Sequence, residues 1–222
     1  MAQRASFTPG SIYLASRERF CAAEDGHATA RVLDYIAEHS ETVPTSDSRT
    51  TLVFFASLIP NGIFTSLLGL LRLIDRQRFR LVVVCDAGDV KGDPRRQESL
   101  KLLPDDVEVV GRFGAALSTP EERWLLSQFV KFKGVVSDDA KGYVQREFRR
   151  VLGPCDHAVV IDFEGYAAFW ASLFAFGRPE GSRGLIYLHN QMADERDRRF
   201  PYLSTTMRLY REFDGVAAVS NA

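Results

Sequence analysis

Leu52-Val53-Phe54-Phe55-Ala56-Ser57 is an apolar run with no polar alternation, the pattern of a strand covered on both faces. Leu58-Ile59-Pro60-Asn61-Gly62 follows as a turn, and Ile63, Leu67, Leu70, Leu71 and Ile74 then form a stripe at helical spacing. A second apolar run, Arg80-Leu81-Val82-Val83-Val84-Cys85, is closed by Asp86-Ala87-Gly88. Strand, loop, helix and strand in that order predict parallel winding with a right-handed crossover.

The same alternation continues downstream. The pattern predicts a helix over 93–103, a turn at Pro104-Asp105-Asp106, a strand over 107–110 and a loop over 111–119. Thr119 as cap, Pro120 at the first position and Glu121 and Glu122 in the first turn start a helix over 120–132. A helix over 139–152, a strand over 155–161, a helix over 166–176 that is apolar all round, and a strand over 182–188 come next. A helix over 199–212 and a strand over 215–219 complete the pattern. Six strands alternating with helices predict an α/β domain: a parallel sheet with helices on both faces.

Residues 1–50 read differently. Val32, Leu33 and Ile36 give 28–39 one amphipathic helix, too little for a core of its own, and Pro44 with several Ser and Thr makes 40–50 a linker. The expected organisation is an N-terminal helical appendage at 1–39, a linker at 40–50 and the main domain at 51–222. With 45% hydrophobic and 11% aromatic residues, the 222-residue chain has the composition of a packed globule. A net charge of -1 offers no global field for nucleic acid. The three widely spaced cysteines form no C-x-x-C pair and fit reduced thiols in a cytoplasm. The N-terminus lacks the apolar core of a signal peptide, and 166–176 falls short of the roughly 20 residues a membrane-spanning helix needs.

Candidate chemistry gathers where apolar runs stop. In Asn61-Gly62-Ile63-Phe64-Thr65-Ser66, Gly62 lets the backbone approach a ligand, and the helix N-terminus offers N–H groups suited to phosphate or a sugar hydroxyl. The competing reading is an ordinary strand–helix turn capped by Asn61 or Ser66. Asp162-Phe163-Glu164-Gly165 ends another strand, and its two acids can bind hydroxyls, act as a base, or simply cap the next helix. Gly184-Leu185-Ile186-Tyr187-Leu188 stops at His189-Asn190, followed by Asp194 and Glu195. A neutral imidazole can accept a proton from a hydroxyl, and Asn190 brings both a donor and an acceptor. The run Glu195-Arg196-Asp197-Arg198-Arg199 can meet a phosphate or form a solvated, ion-paired helix turn. No dinucleotide fingerprint, phosphate loop, nucleophile elbow or metal-ligand motif occurs in the sequence.

These blocks carry a resemblance. Ser57-Leu58-Ile59-Pro60-Asn61-Gly62-Ile63 with Ser66-Leu67-Leu68, Val160-Ile161-Asp162-Phe163-Glu164-Gly165-Tyr166, Ile186 through Glu195, Leu209-Tyr210-Arg211-Glu212-Phe213-Asp214 and Val219-Ser220 stand in the order seen in the N-terminal domain of GT-B glycosyltransferases. The chain resembles above all those fused to CDP-glycerol glycerophosphotransferase domains in bacterial cell-wall and capsule synthesis. Phe20-Cys21-Ala22-Ala23-Glu24-Asp25-Gly26-His27-Ala28-Thr29-Ala30-Arg31-Val32 is similar to the tail of such a glycerophosphotransferase domain.

The resemblance implies a Rossmann-like half of a GT-B fold whose C-terminal, donor-binding partner domain lies outside this chain. It implies transfer of a sugar from a nucleotide diphosphate sugar to a polyol-phosphate or lipid-linked polymer. His189 and Asn190 would be catalytic or substrate-orienting. Asn61, Gly62, Ser66, Asp162, Glu164, Gly165, Asp194 and Glu195 would bind substrate or donor phosphate. No metal or cofactor is expected beyond the donor substrate. The expected location is the cytoplasm, at the inner face of the cell membrane where fused domains reach it. The alternative is a non-catalytic module that captures polyol-phosphate polymer or a glycerophosphotransferase partner. An independent nucleotide-binding enzyme is disfavoured by the missing phosphate motifs.

Overall fold

The computed structural model describes residues 10–12, 14, 15, 48–132 and 138–218. The chain divides into two compact units, Met1–Asp47 and Ser48–Ala222. The helix expected over 28–39 lies outside the described residues, as does the linker up to residue 47. The second unit is built on a six-stranded, fully parallel sheet of β1 (Thr50–Phe55), β2 (Phe79–Asp86), β3 (Glu108–Arg112), β4 (Val159–Asp162), β5 (Arg183–Leu188) and β6 (Gly215–Ala218). The spatial order is β3-β2-β1-β4-β5-β6. Winding runs outward from β1 to β3, then restarts on the other side of β1. The fold is therefore α/β and Rossmann-like, with a topological switch point between β1 and β4.

Alternation along the apolar strands explains the two layers. Val53 and Phe55 join Val82, Val84, Val160 and Ile186 in one core, and Phe54 joins Leu81, Val83, Cys85 and Ile161 in the other. Helix α1 (Gly62–Leu73) and α2 (Ala87–Gly92) cover the second face, together with the end of α3 (Pro94–Lys101). The first face is covered by α4 (Pro120–Phe132), α5 (Asp138–Leu152), α6 (Ala168–Phe176) and α8 (Leu203–Leu209); α7 (Met192–Arg198) follows β5 directly. Each large side chain fully removed from water, such as Leu71 or Phe174, contributes about 1.5–3 kcal/mol before chain entropy is counted. Tight approach of α5 and α6 depends on Gly177, where a Cβ would lie 2.9 Å from both Phe148 Cβ and the Val144 carbonyl.

The structure departs from the sequence pattern in four places. The stripe of α1 is rotated by about one position: Phe64, Leu67, Leu68 and Leu71 are buried, while Ile63, Leu70 and Ile74 are only half-buried. Strand β4 starts four residues later than 155, because His157 adopts a left-handed φ of 63° that breaks extended pairing. The acid-capped stop after Cys85 becomes the short helix α2. The single helix expected over 199–212 starts only at Leu203, as α8 followed by a 3-10 turn over Tyr210–Glu212, and a separate helix not expected from the pattern, α7, precedes it. Pro201 separates them, since it lacks an N–H donor and biases Phe200 out of helical geometry.

Candidate functional site

Because β1, β4 and β5 are neighbours, their C-terminal loops meet along one edge, the edge where sheets of this kind receive ligands. On the β1 loop, Ser57 is followed by Leu58 at a φ of 59°, with its side chain fully buried. A bulky residue held left-handed costs about 1–2 kcal/mol, a strain that clusters at functional sites. Asn61 caps α1 by accepting a hydrogen bond from the Phe64 N–H at 3.0 Å. Gly62 and Ser66 are exposed, and a Cβ on Gly62 would meet nothing within 4 Å, so internal packing does not require glycine there.

The β4 loop holds two acids in different settings. Asp162 is fully buried, so it lies beneath the edge and not in a solvent-facing wall, contrary to a directly ligand-binding role. Its Oδ1 accepts from the Gly165 N–H at 2.9 Å and the Glu164 N–H at 3.3 Å, while Oδ2 has no partner among the described residues. Burial pushes its carboxyl up to about 7, against the pull of those two N–H groups. Gly165, at a φ of 72°, is required twice over: a Cβ would also lie 2.5 Å from the Tyr187 carbonyl oxygen.

Glu164 reaches across the switch point. Its Oε1 accepts from the Ser57 N–H at 2.6 Å and from the Ser57 hydroxyl at 2.7 Å. Arg96 donates to the Ser57 carbonyl at 3.0 Å and pairs with Asp89 at 3.0 Å. Burial raises the Glu164 carboxyl above its ordinary range, and the Ser57 bonds and the Arg96 charge oppose that rise. Neither acid caps the following helix, whose cap position is Ala167 with no side-chain bond.

On the β5 loop, His189 Nε2 lies 2.5 Å from the Phe163 carbonyl oxygen. A carbonyl only accepts, so Nε2 carries the proton and a neutral ring presents Nδ1 as its acceptor. The imidazole stands edge-on to the Phe163 ring at 4.9 Å and is stacked on Tyr187 at 6.1 Å, which fixes its plane. Asn190 donates to the Tyr166 hydroxyl at 2.8 Å, tying the β4 and β5 loops together. Beside it, Asn190, Gln191, Asp194, Glu195, Arg198 and Arg199 line a groove of about 310 Å³. Larger grooves of about 330 and 390 Å³ lie along α5, away from this edge.

The structure thus places His189 and Asn190 on the β5 loop and Asp194 and Glu195 in the first turn of α7 that follows it, and ties Glu164 to the β1 loop. Asn61, Gly62 and Ser66 stand at the start of α1, and Asp162 and Gly165 support the edge from within. Sequence reading had not singled out Ser57, Arg96 or Tyr166. Ser57 ends an apolar strand, a signal of the kind that marks His189; Arg96 carries none, being 39 residues away from its contact. At the end of β2, the place where a dinucleotide-binding sheet engages ribose, Asp86 is already bound to Arg112 at 3.0 Å and to the Trp170 indole N–H at 2.8 Å. Among the described residues no group of three or more His, Cys, Asp or Glu side chains is placed to hold a metal, and no helix is long and apolar enough to cross a membrane.

Neither a family model nor a curated protein matches the sequence. Among solved structures, HAL3 from Cryptococcus neoformans is similar to 78% of this chain over 84% of its own, at 11% identity and a TM-score of 0.30. The assignment of the fold rests on the strand order and register and not on that likeness.

Proposed function

We propose that this chain is the acceptor-side half of a GT-B sugar transferase acting on a polyol-phosphate polymer of the bacterial wall or capsule. The observation that carries the reading is the His189–Phe163 hydrogen bond. It occupies Nε2 and leaves Nδ1 as the ring's acceptor, on a residue adjacent in sequence to Asn190, which lines the polar groove. The groove pairs carboxylates with arginines, a composition that suits a ligand alternating hydroxyls and phosphates. The order of sequence blocks described above supports the same family.

In this reading the acceptor polymer lies in the groove, its phosphate against Arg198 and Arg199 and its hydroxyls against Asp194, Glu195 and Asn190. His189 accepts the hydrogen bond of the attacking hydroxyl and takes its proton as the oxygen bonds to the anomeric carbon. The bond from that carbon to the donor's phosphate oxygen breaks, and the nucleoside diphosphate leaves with the electron pair. A C-terminal domain holding the donor faces this edge, toward the exposed Gly62 and Ser66.

A titration of the chain with glycerol-phosphate oligomers, and separately with UDP-sugars, tests the proposal by NMR. Oligomers are expected to shift the His189 ring and Asn190 amide resonances saturably, with no turnover by this chain alone. Saturable binding of UDP-sugar at these residues without any response to oligomers, or robust sugar transfer by the chain alone, would overturn it.

A further inference from the structure

Glu164 occupies the switch point with a negative charge. The donors it takes, the Ser57 N–H and hydroxyl, are the groups that would otherwise cradle an anion between β1 and β4. Arg96 stands on the other side of the same residue, bonded to the Ser57 carbonyl, and its guanidinium is largely shielded from solvent at 18% exposed. Two donors therefore converge on a position held by an internal carboxylate oxygen, and the charge of Arg96, itself paired with Asp89 and Asp93, favours an anion there without bonding it. The second carboxylate oxygen, Oε2, has no hydrogen-bond partner among the described residues. A carboxylate here repels phosphate and accepts from neutral hydroxyls.

We propose that Glu164 sets the specificity of this edge as an anion filter: it excludes phosphate from the β1–β4 crevice and admits uncharged hydroxyl groups. Phosphates of a bound polymer are thereby directed to Arg198 and Arg199 at the end of α7, and sugar or polyol hydroxyls to the crevice. The inference rests on reading the C-terminal edge as the acceptor site, but the filter itself is tested separately.

The experiment uses inorganic phosphate as probe and follows the Ser57 amide and the Arg96 side-chain resonances in the full chain. In the wild type these resonances should not titrate. Glu164→Ala should bind phosphate there at least about tenfold more tightly, the discrimination expected of a charge-assisted contact. Glu164→Gln keeps the acceptor oxygen on the Ser57 donors and should gain far less. Glu164→Ser provides the same open position should Glu164→Ala fail to fold. Adding Arg96→Ala to the open variant should abolish the gain.

Wild-type phosphate binding at Ser57 as tight as in Glu164→Ala would overturn the filter, as would no gain in either open variant. If the open variants gain no phosphate site while glycerol-phosphate oligomers still shift His189, the filter fails and the acceptor reading stands. If phosphate enters the open variants but oligomers never reach His189, the acceptor reading fails and the exclusion of phosphate by Glu164 stands.

Discussion

His189 and Phe163 are joined across the ends of β5 and β4 by a ring N–H donated to a main-chain carbonyl, Nε2 to oxygen at 2.5 Å. The bond decides which nitrogen can serve as a base. It also gives His189 a structural duty, separable from the chemical one that the proposed function assigns to it. The imidazole should show protonated Nε2 and bare Nδ1 in its neutral form, read from its nitrogen chemical shifts. His189→Gln, whose amide can still donate to Phe163, should cost at most about 1 kcal/mol in urea unfolding yet abolish transfer once a donor domain is present. Retained transfer in that variant would remove His189 from the chemistry.

Asp162 gives the fold a pH dependence of defined sign. Its carboxyl is pushed up to about 7 by burial, so the folded state holds a proton that the unfolded chain releases nearer 4. The associated stability is fully present below about pH 4 and is lost as pH rises to about 7. Asp162 is on the same sheet face as Val160, and its charge together with burial pushes the Tyr210 hydroxyl, itself buried without a partner among the described residues, up to about 12. Asp162→Asn should therefore change stability little near pH 4 and raise it at pH 8, by about 1–4 kcal/mol relative to wild type. The comparison is made by urea unfolding at both values. An equal effect at the two pH values would show that the native carboxyl does not hold its proton.

The sheet was legible from residue order because both faces are buried: runs such as Leu81-Val82-Val83-Val84 admit almost no other reading. All six strands stand where apolar runs were read, with ends shifted by up to four residues. Turn chemistry was less legible. The left-handed His157 and the break at Pro201 depend on local sterics that periodicity does not register. The edge was visible through residues that end strands, His189 and Asp162 among them. Their relations were not, since Glu164 meets Ser57 from 107 residues away and Asp86 meets Trp170 from 84. Only the winding of the chain brings such pairs together. It also explains why Asp162, read as an acid that binds hydroxyls, acts as a base or caps a helix, is instead fully buried.

Glu147 should prove more important to stability than any residue of the candidate site. It is fully buried and accepts from Arg112 at 2.7 Å, from Arg150 at 2.8 and 2.9 Å, and from the Ala116 N–H at 2.7 Å, pinning the 113–119 loop to α5. Burial alone would raise its carboxyl, but these bonds outweigh that and hold it below its ordinary value. The sign is opposite to that of Asp162: this stability is present above the unfolded value and lost as the solution is acidified through the folded one. Glu147→Ala leaves Arg112 with Asp86 alone and the partly exposed Arg150 with the Phe113 and Gly114 carbonyls, and by loss of four hydrogen bonds should cost about 2–4 kcal/mol at pH 7. The loss should shrink in acid. A loss under 1 kcal/mol at pH 7 would contradict the network.

Gly165 is where the edge should be most sensitive to a single methyl group. Glycine tolerates the φ of 72° that turns the chain after β4, and the missing side chain leaves room for the Tyr187 carbonyl of β5. An alanine Cβ would lie 2.5 Å from that oxygen, a main-chain atom fixed in β5, so the β4 loop must shift. The shift would strain the Asp162 bond to the Gly165 N–H and carry Tyr166 away from Asn190. Gly165→Ala should therefore lower stability by about 2–4 kcal/mol and displace the Asn190 side-chain amide resonance. Gly62→Ala is the control, since its Cβ enters open space at the start of α1 and should leave the melting temperature nearly unchanged. If the two variants melt alike, the β4–β5 contact does not hold the edge in the way the distances imply.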